Sequence, residues 1–404
     1  MSILNELGDA SKWQAFLAYK VEKSHLTRKE EAFFRAFIEE EAYRPVTDHI
    51  LEEDFCFSVP QKKLLNKHGN GKKRTVYTFS EQENMVLKLM AHLLYRYDGA
   101  QPRSCYSFRR DYGAKKAIAT LAKQGGIAEK YACKLDITNY FNSIDVALLL
   151  PVLCEVLSGD KPLYRFLERL LSADEALYND EILTEKRGAM AGTPISQFFA
   201  NIYLAEMDRR FEEAGVLYAR YSDDIIFFAD GGERLAEYLE MAKGFLAKYH
   251  LEINPEKVQI SAPGEKWDYL GIAYGNGRIE LSAATMRKIK AKIRRKARSI
   301  RRWKIKKNAD DEKAMHVFVK VINKKFFGRD DASEFTWARW FFPLISADDD
   351  LKVIDAYVQE HMRYIASGAF NKANYKIRYA QLKDCGYKSL VNAYYRYRAD
   401  AQEQ

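Results

Sequence analysis

The spacing of apolar positions changes several times along the chain, and each change marks a different kind of element. In Met286–Lys307, MRKIKAKIRRKARSIRRWKIKK, the residues Met286, Ile289, Ile293, Ala297, Ile300 and Trp303 recur at steps of three and four. That spacing draws one apolar stripe along a helix. Upstream, KYACKLDITNYF (Lys130–Phe141) predicts a buried strand ending in a turn, Val146–Leu157 a helix, and Ser196–Phe211 a single amphipathic helix. VLYARYSDDIIFFAD (Val216–Asp230) sets apolar runs on either side of a polar tip, the pattern of a hairpin. A helix over Glu233–His250 follows, then strands at Val258–Ser261 and Trp267–Ala273. The first 130 residues read as mostly helical with a Gly/Lys-rich hairpin at His68–Thr78, and the chain after Lys307 as helical to its end. Strands and helices in this order predict an α+β protein whose sheet carries helices on one face.

Composition adds scale and charge. A chain of 404 residues, at about 150 per domain, predicts two to three domains. With 47% apolar residues it has material for sizeable cores, which excludes global disorder. The net charge is +9, yet Met286–Lys307 alone holds 13 Lys/Arg and no acid, so the rest of the chain is net acidic. Solvated helices usually mix both signs. Cations of one sign repel one another unless a polyanion's phosphates offset them, so this helix predicts a nucleic-acid contact, with Arg294, Arg295 and Arg298 as candidates. The five cysteines form no CxxC pair and the seven histidines are scattered, so any metal is expected on carboxylates. No apolar run approaches membrane-spanning length and the first residues lack a signal-peptide pattern, so a soluble cytoplasmic protein with no membrane partner is expected.

Candidate chemistry lies in Asp223-Asp224 at the hairpin tip and Asp136 at the end of the earlier strand. Adjacent acids at a sheet edge repel unless a counter-ion joins them. Mg²⁺ suits such a site, because it takes one or two carboxylates together with substrate phosphates, and paired ions serve phosphoryl transfer. An acidic doublet in a turn is commonly just solvated, and the neighbouring motifs decide the matter here.

Those motifs resemble reverse transcriptases of the bacterial type, related to group II intron, retron, diversity-generating and defence-associated enzymes. The resemblance runs in order from about Lys72 to Ala273. KLDITNYFNSID is similar to the first catalytic motif, which implies Asp136 as a metal ligand and Phe141 as the residue screening the sugar 2′ carbon. AGTPISQFFANIYLAEMD resembles the turn and helix that support template and nucleotide, implying contacts at Ala191, Gly192 and Gln197. Tyr221–Asp224 matches the YxDD box, LEINPEKVQI implies Lys257 near the triphosphate, and WDYLGI resembles a primer-gripping hairpin with Leu270 and Gly271. GKKRTVY resembles the fingers hairpin, making Lys73 and Arg74 nucleotide candidates, and CYSFRRDYG resembles the YxFR segment with Arg109 as a nucleotide or nucleic-acid contact.

The resemblance implies a right-hand polymerase: N-terminal region and fingers over 1–130, palm over 131–282, and basic thumb helix with a helical C-terminal extension over 283–404. It implies an RNA-directed DNA polymerase using two Mg²⁺ ions, with Mn²⁺ as the alternative, on Asp136, Asp223 and Asp224. The partners would be dNTPs, a cDNA product and an RNA template in the form of a structured non-coding RNA, with oligomeric state left open. The extension carries Trp337, Trp340, Tyr375, Arg378, Tyr394 and Arg396, a mixture suited to looped RNA. No nuclease, protease or integrase block accompanies these motifs, which argues against an intron-mobility or polyprotein role; the chain resembles most the defence-associated or otherwise unclassified stand-alone enzymes, which implies a role in anti-phage defence. Two departures stand out: Ala191 where the family usually has Gln, and Ser196-Gln197 where it has Ser-Pro. The resulting Gly192–Gln197 pattern resembles diversity-generating enzymes, in which the missing Gln accompanies low fidelity. The alternatives are therefore a diversity-generating or retron-type enzyme, or a catalytically silent RNA-binding scaffold.

Overall fold

The computed structural model describes residues 2–24, 26–52, 54–66, 73–328, 336–371, 374 and 377–402. The chain divides into two compact units, Met1–Lys23 with Arg28–Pro263, and Ser24–Thr27 with Gly264–Gln404.

Among the described residues the first unit holds eight strands: β1 (Gln61–Asn66), β2 (Lys73–Thr78), β3 (Tyr131–Asp136), β4 (Glu175–Tyr178), β5 (Glu181–Thr184), β6 (Tyr218–Tyr221), β7 (Asp224–Ala229) and β8 (Gln259–Ser261). They form two four-stranded sheets, in the orders β2-β1-β4-β5 and β6-β7-β3-β8, and every pairing in the second is antiparallel. In β7 the residues Ile225–Ala229 are all buried. Successive side chains of a strand point to opposite faces, so both faces of this sheet are covered, where the sequence predicted helices on one. Helix Gly232–Lys248 packs on β3 and β7, as expected over Glu233–His250. The Gly/Lys-rich hairpin appears as β1 and β2, with 67–72 at its tip outside the described residues.

Two element boundaries differ from expectation. The helix expected over Ser196–Phe211 is broken at Leu204 (φ −104°, ψ 13°) into Ser196–Tyr203 and Ala205–Glu213. Apolar periodicity runs through the break, because a single irregular residue does not reset it. The single strand that periodicity expected over Trp267–Ala273 is two strands, β9 (Trp267–Tyr269) and β10 (Ile272–Gly275), reversed at Leu270 (φ 49°) and Gly271 (φ 89°), a hairpin as the resemblance of WDYLGI implied. Two successive positive φ values make a tight hairpin turn, and a leucine there gives no turn signal.

In the second unit β9, β10 and β11 (Arg278–Leu281) form a three-stranded sheet. The basic helix spans Ala283–Lys307, capped by Ser282, whose hydroxyl accepts the Thr285 N–H at 3.1 Å. Ile289, Ile293, Ala297 and Ile300 are buried, and Met286 and Trp303 half-buried, along the expected stripe, which packs against helices Asp311–Phe327 and Asp349–Ser367. Helices Trp337–Phe341, Tyr379–Asp384 and Leu390–Asp400 follow. Tyr394 is buried and donates to Ile345 O at 2.9 Å, so it serves helix packing, while Tyr375 lies outside the described residues. Among the described residues no helix is long and apolar enough to cross a membrane.

Candidate active site

Strand register gathers the acids. In the β3·β7 ladder Asp136 stands opposite Asp224, and in β6·β7 Tyr221 pairs with Asp224. Only Ser222 and Asp223 remain to make the turn, and Ser222 takes φ +60°. The Asp223 carbonyl accepts the Ile137 N–H at 3.2 Å, which ties the tip to the end of β3. All three acids therefore sit at one end of the antiparallel sheet.

Burial dominates their environment, and the nearby cations offset it only in part. Burial pushes the Asp223 carboxyl above its ordinary value and the charge on Asp136 adds to this, while Lys257 and Arg74 oppose it. Asp224 is pushed up to about 6, first by burial, with Lys134 opposing and Asp223 and Asp136 reinforcing. Lys257 donates to Asp136 Oδ2 at 2.6 Å, and Lys134 Nζ lies 3.9 Å from Asp224 Oδ1. Hard oxygen donors that hold their protons unusually tightly fit a divalent cation, which would displace those protons. Among the described residues no three His, Cys, Asp or Glu side chains converge on one ion position, so the acids form an open cluster with Lys257 holding Asp136.

The surroundings of the cluster are built from the other motifs of the first unit. Asn139 (φ 48°) turns the chain into the short helix Tyr140–Ser143, on which Phe141 is half-buried. Asn142, which sequence reasoning passed over, clamps two segments: its Nδ2 donates to Thr75 O of β2 at 3.1 Å, and its Oδ1 accepts the Ala191 N–H at 2.9 Å. The Ala191 carbonyl accepts from Tyr77 N of β2 at 2.8 Å, so the loop of Ala191 and Gly192 is fastened to the strand that carries Lys73 and Arg74. Both cations are exposed, and Arg74 is near enough for its charge to act on Asp223. Gln197 is exposed at the start of its helix, and Tyr221 is half-buried beside Phe108, ring centroids 5.9 Å apart.

Arg109 departs from expectation. Its guanidinium donates to the carbonyls of Pro102, Cys105 and Asp98 and lies over the Tyr112 ring at 4.1 Å, so its donors fold the segment. Lys134 was also missed; it precedes Asp136 by two positions on β3, and the two-residue alternation of a strand, which puts both side chains on one face, is the signal that could have found it.

In the second unit Leu270 and Gly271 make the β9–β10 turn, and the Gly271 carbonyl accepts from Thr285 Oγ1 at 2.8 Å and Ser282 N at 3.0 Å. Arg294, Arg295 and Arg298 are exposed on the basic helix. Not all of that helix's cations are free. Arg301 donates to Ile365 O and Ala366 O at 2.9 and 3.1 Å, and Lys304 to Ala366 O at 3.0 Å, capping the last carbonyls of helix Asp349–Ser367.

Three carboxylates stand together at one end of an antiparallel sheet, with the other motifs following in the order in which the sequence carries them. The chain belongs to the reverse transcriptase (RNA-dependent DNA polymerase) family, whose model matches residues 65–274. It is 24% identical over 183 residues to the Retron Mx65 reverse transcriptase of Myxococcus xanthus, a match covering 43% of this chain and 42% of that protein. The chain thus matches less than half the length of this curated relative. Among solved structures it is similar to apo telomerase from Candida Tropicalis, with TM-score 0.46, 14% identity, and coverage of 86% of this chain and 68% of that one. It is also similar to telomerase from Candida albicans in complex with the TWJ fragment of telomeric RNA, with TM-score 0.43, 12% identity, and coverage of 86% and 65%.

Proposed function

We propose that the protein is an RNA-directed DNA polymerase that extends a primer on an RNA template. The observation that carries this reading is the register that sets Asp136 opposite Asp224 with Asp223 in the adjoining turn. The reaction joins the primer 3′ oxygen to the α-phosphorus of a dNTP and releases pyrophosphate. Asp136, Asp223 and Asp224 would hold two Mg²⁺ ions, or Mn²⁺. Such ions, when bound, supply charge neutralisation at the attacking and leaving oxygens. Lys257 would then be freed from Asp136, and its ammonium, with those of Lys73 and the guanidinium of Arg74, would meet the triphosphate. The Phe141 ring would crowd a ribose 2′ hydroxyl, and the Ala191–Gly192 loop and Gln197 would support the incoming base. Arg109 would fold the segment behind the site and make no contact with the nucleotide.

The palm would run over 131–282, after fingers at 1–130 and before the thumb and extension at 283–404. Leu270 and Gly271 would hold the primer, and Arg294, Arg295 and Arg298 would meet backbone phosphates without reading sequence. A silent scaffold has no use for two adjacent buried acids, Asp223 and Asp224, whose protons are held by burial and by neighbouring negative charge, which favours an active enzyme.

For its biological role we propose cytoplasmic copying of one structured non-coding RNA, with the cDNA serving defence against phage. Sequence diversification is the competing role, favoured by Ala191, whose methyl group offers the nucleotide no polar contact. Expressing the protein with its native flanking DNA, then sequencing bound RNA and new DNA with and without infection, tests the assignment. One dominant RNA, its cDNA, and phage resistance lost in Asp223→Ala are expected. Random bound transcripts and equal phage sensitivity would refute it.

A further inference from the structure

The turn carrying Asp223 rests on a buried polar network that the proposed chemistry does not itself use. Ser222 occupies the left-handed region, which a non-glycine residue keeps only when its surroundings enforce it. Its N–H donates to Ser107 Oγ at 2.9 Å, and its carbonyl lies 3.4 Å from Arg220 Nη1. The Ser107 hydroxyl donates in turn to Asn201 Oδ1 at 2.8 Å. Asn201 Nδ2 donates to Gln101 Oε1 at 2.8 Å and to Ser107 O at 2.6 Å, and the Asn201 carbonyl accepts from Arg220 Nη2 at 3.0 Å. Arg220 Nε reaches both oxygens of Asp208, at 2.7 and 3.0 Å, and the Tyr218 hydroxyl donates to the same carboxylate at 2.7 Å. Ser107, Asn201, Asp208 and Arg220 are fully buried, so no water replaces a lost partner.

Apolar residues often stabilise a core as well as a buried ion pair does, so such a pair is weak evidence for stability and better evidence for fixing one arrangement. Here both Asn201 and Arg220 lead to the peptide unit of Ser222. The Ser107 hydroxyl is delivered to it from a second left-handed turn, with Phe108 at φ 52°. We infer that Ser107 is a positioning residue. Its hydroxyl, oriented by Asn201 and backed by the Asp208–Arg220 pair, fixes the Ser222 peptide and through it the direction of the Asp223 carboxylate. The segment Cys105–Arg110 would then act on the site through Ser107 rather than through Arg109.

This inference rests on the proposed polymerase reading, and its test separates the two. Ser107→Ala leaves the Ser222 N–H and Asn201 Oδ1 without their partner. Leu153→Ala, in the core of helix Val146–Val156, supplies a comparison variant of reduced stability, and the two are assayed below the lower of their melting temperatures. Ser107→Ala should lower kcat and weaken Mg²⁺ half-saturation by about tenfold or more, as losing a group that orients a metal-holding residue does, while KM for primer-template stays near wild type. Leu153→Ala should leave the Mg²⁺ response unchanged. Mn²⁺ binding followed by electron paramagnetic resonance gives the same comparison without turnover, and Ser107→Cys and Gln101→Leu carry it if Ser107→Ala does not fold. A folded wild type that binds Mn²⁺ but makes no DNA would remove the polymerase reading alone. Wild-type Mg²⁺ and Mn²⁺ behaviour in Ser107→Ala, or equal losses in Leu153→Ala, would overturn the inference.

Discussion

Gly192 offers a measurement in which backbone geometry and substrate binding are read together. Its φ is +105°, and a Cβ there would meet Tyr77 O and Val76 Cβ at 3.0 Å each. Neither neighbour can swing aside, since one is backbone and the other is joined directly to it, and Tyr77 N is bonded to Ala191 O at 2.8 Å. In Gly192→Ala the disfavoured φ costs about 1–3 kcal/mol and the overpacked contact about the same again. At about 2–4 °C per kcal/mol for a unit of this size, melting should fall by about 5–20 °C. Any relief moves β2, and Arg74 with it, away from the Ala191 loop. KM for dNTP should therefore rise more than KM for primer-template. Gly215→Ala is the control, because Gly215 has φ +65° with nothing within 4 Å of its would-be Cβ, so it tests backbone strain alone. Differential scanning fluorimetry and steady-state primer extension on both variants decide the point. A Gly192→Ala protein that melts no lower than Gly215→Ala and keeps the wild-type KM for dNTP would refute the reasoning.

Phe141→Ala should admit ribonucleotides while retaining dNTP incorporation, because exclusion depends on a clash; an unchanged ratio of the two would place the sugar gate elsewhere. Changing Arg294, Arg295 and Arg298 to Ala should weaken binding to many RNAs alike and reduce the slope of log affinity against log salt by about 2–3, about one per lost phosphate contact. The wild-type slope in that variant would mean the three cations are merely solvated. The raised value of Asp224, about 6, has a defined sign. The folded protein binds this proton more tightly than the unfolded chain, so its stabilising effect is complete below the ordinary carboxylate pKa and is lost as pH rises through about 6. A cation competes for the same oxygens, so the rise in melting temperature on adding Mg²⁺ should shrink between about pH 7.5 and pH 5, and an equal rise at both would contradict the assignment.

The hairpin at Tyr221–Asp224 was legible because the apolar runs on either side are long enough to fix two buried strands around a polar tip. Asp136 was legible for the same reason, as the polar end of an apolar run. The basic helix kept its apolar stripe, but the capping work of Arg301 and Lys304 depends on carbonyls more than 60 residues away and leaves no local pattern. Ser107, Asn201, Asp208 and Arg220 were invisible for a similar reason. Periodicity registers apolar burial, while a buried polar residue announces itself only through partners distant in sequence. Lys257 was read as a triphosphate contact from its motif, and its bond to Asp136 required the fold to close. The break at Leu204 fell inside a continuous apolar pattern, where a leucine in an irregular conformation looks like any other, and the turn at Leu270-Gly271 was legible only through the resemblance of WDYLGI to a hairpin, since periodicity ran through it.

The central claim, that Asp136, Asp223 and Asp224 form a polymerising centre, is tested most directly by primer extension on an RNA template with Mg²⁺ and dNTPs, comparing the wild type with Asp223→Ala. The account predicts DNA synthesis by the wild type and its loss, by about a thousandfold or more, in a variant that still melts cooperatively and still binds RNA. Extension by Asp223→Ala at a rate near that of the wild type would contradict it.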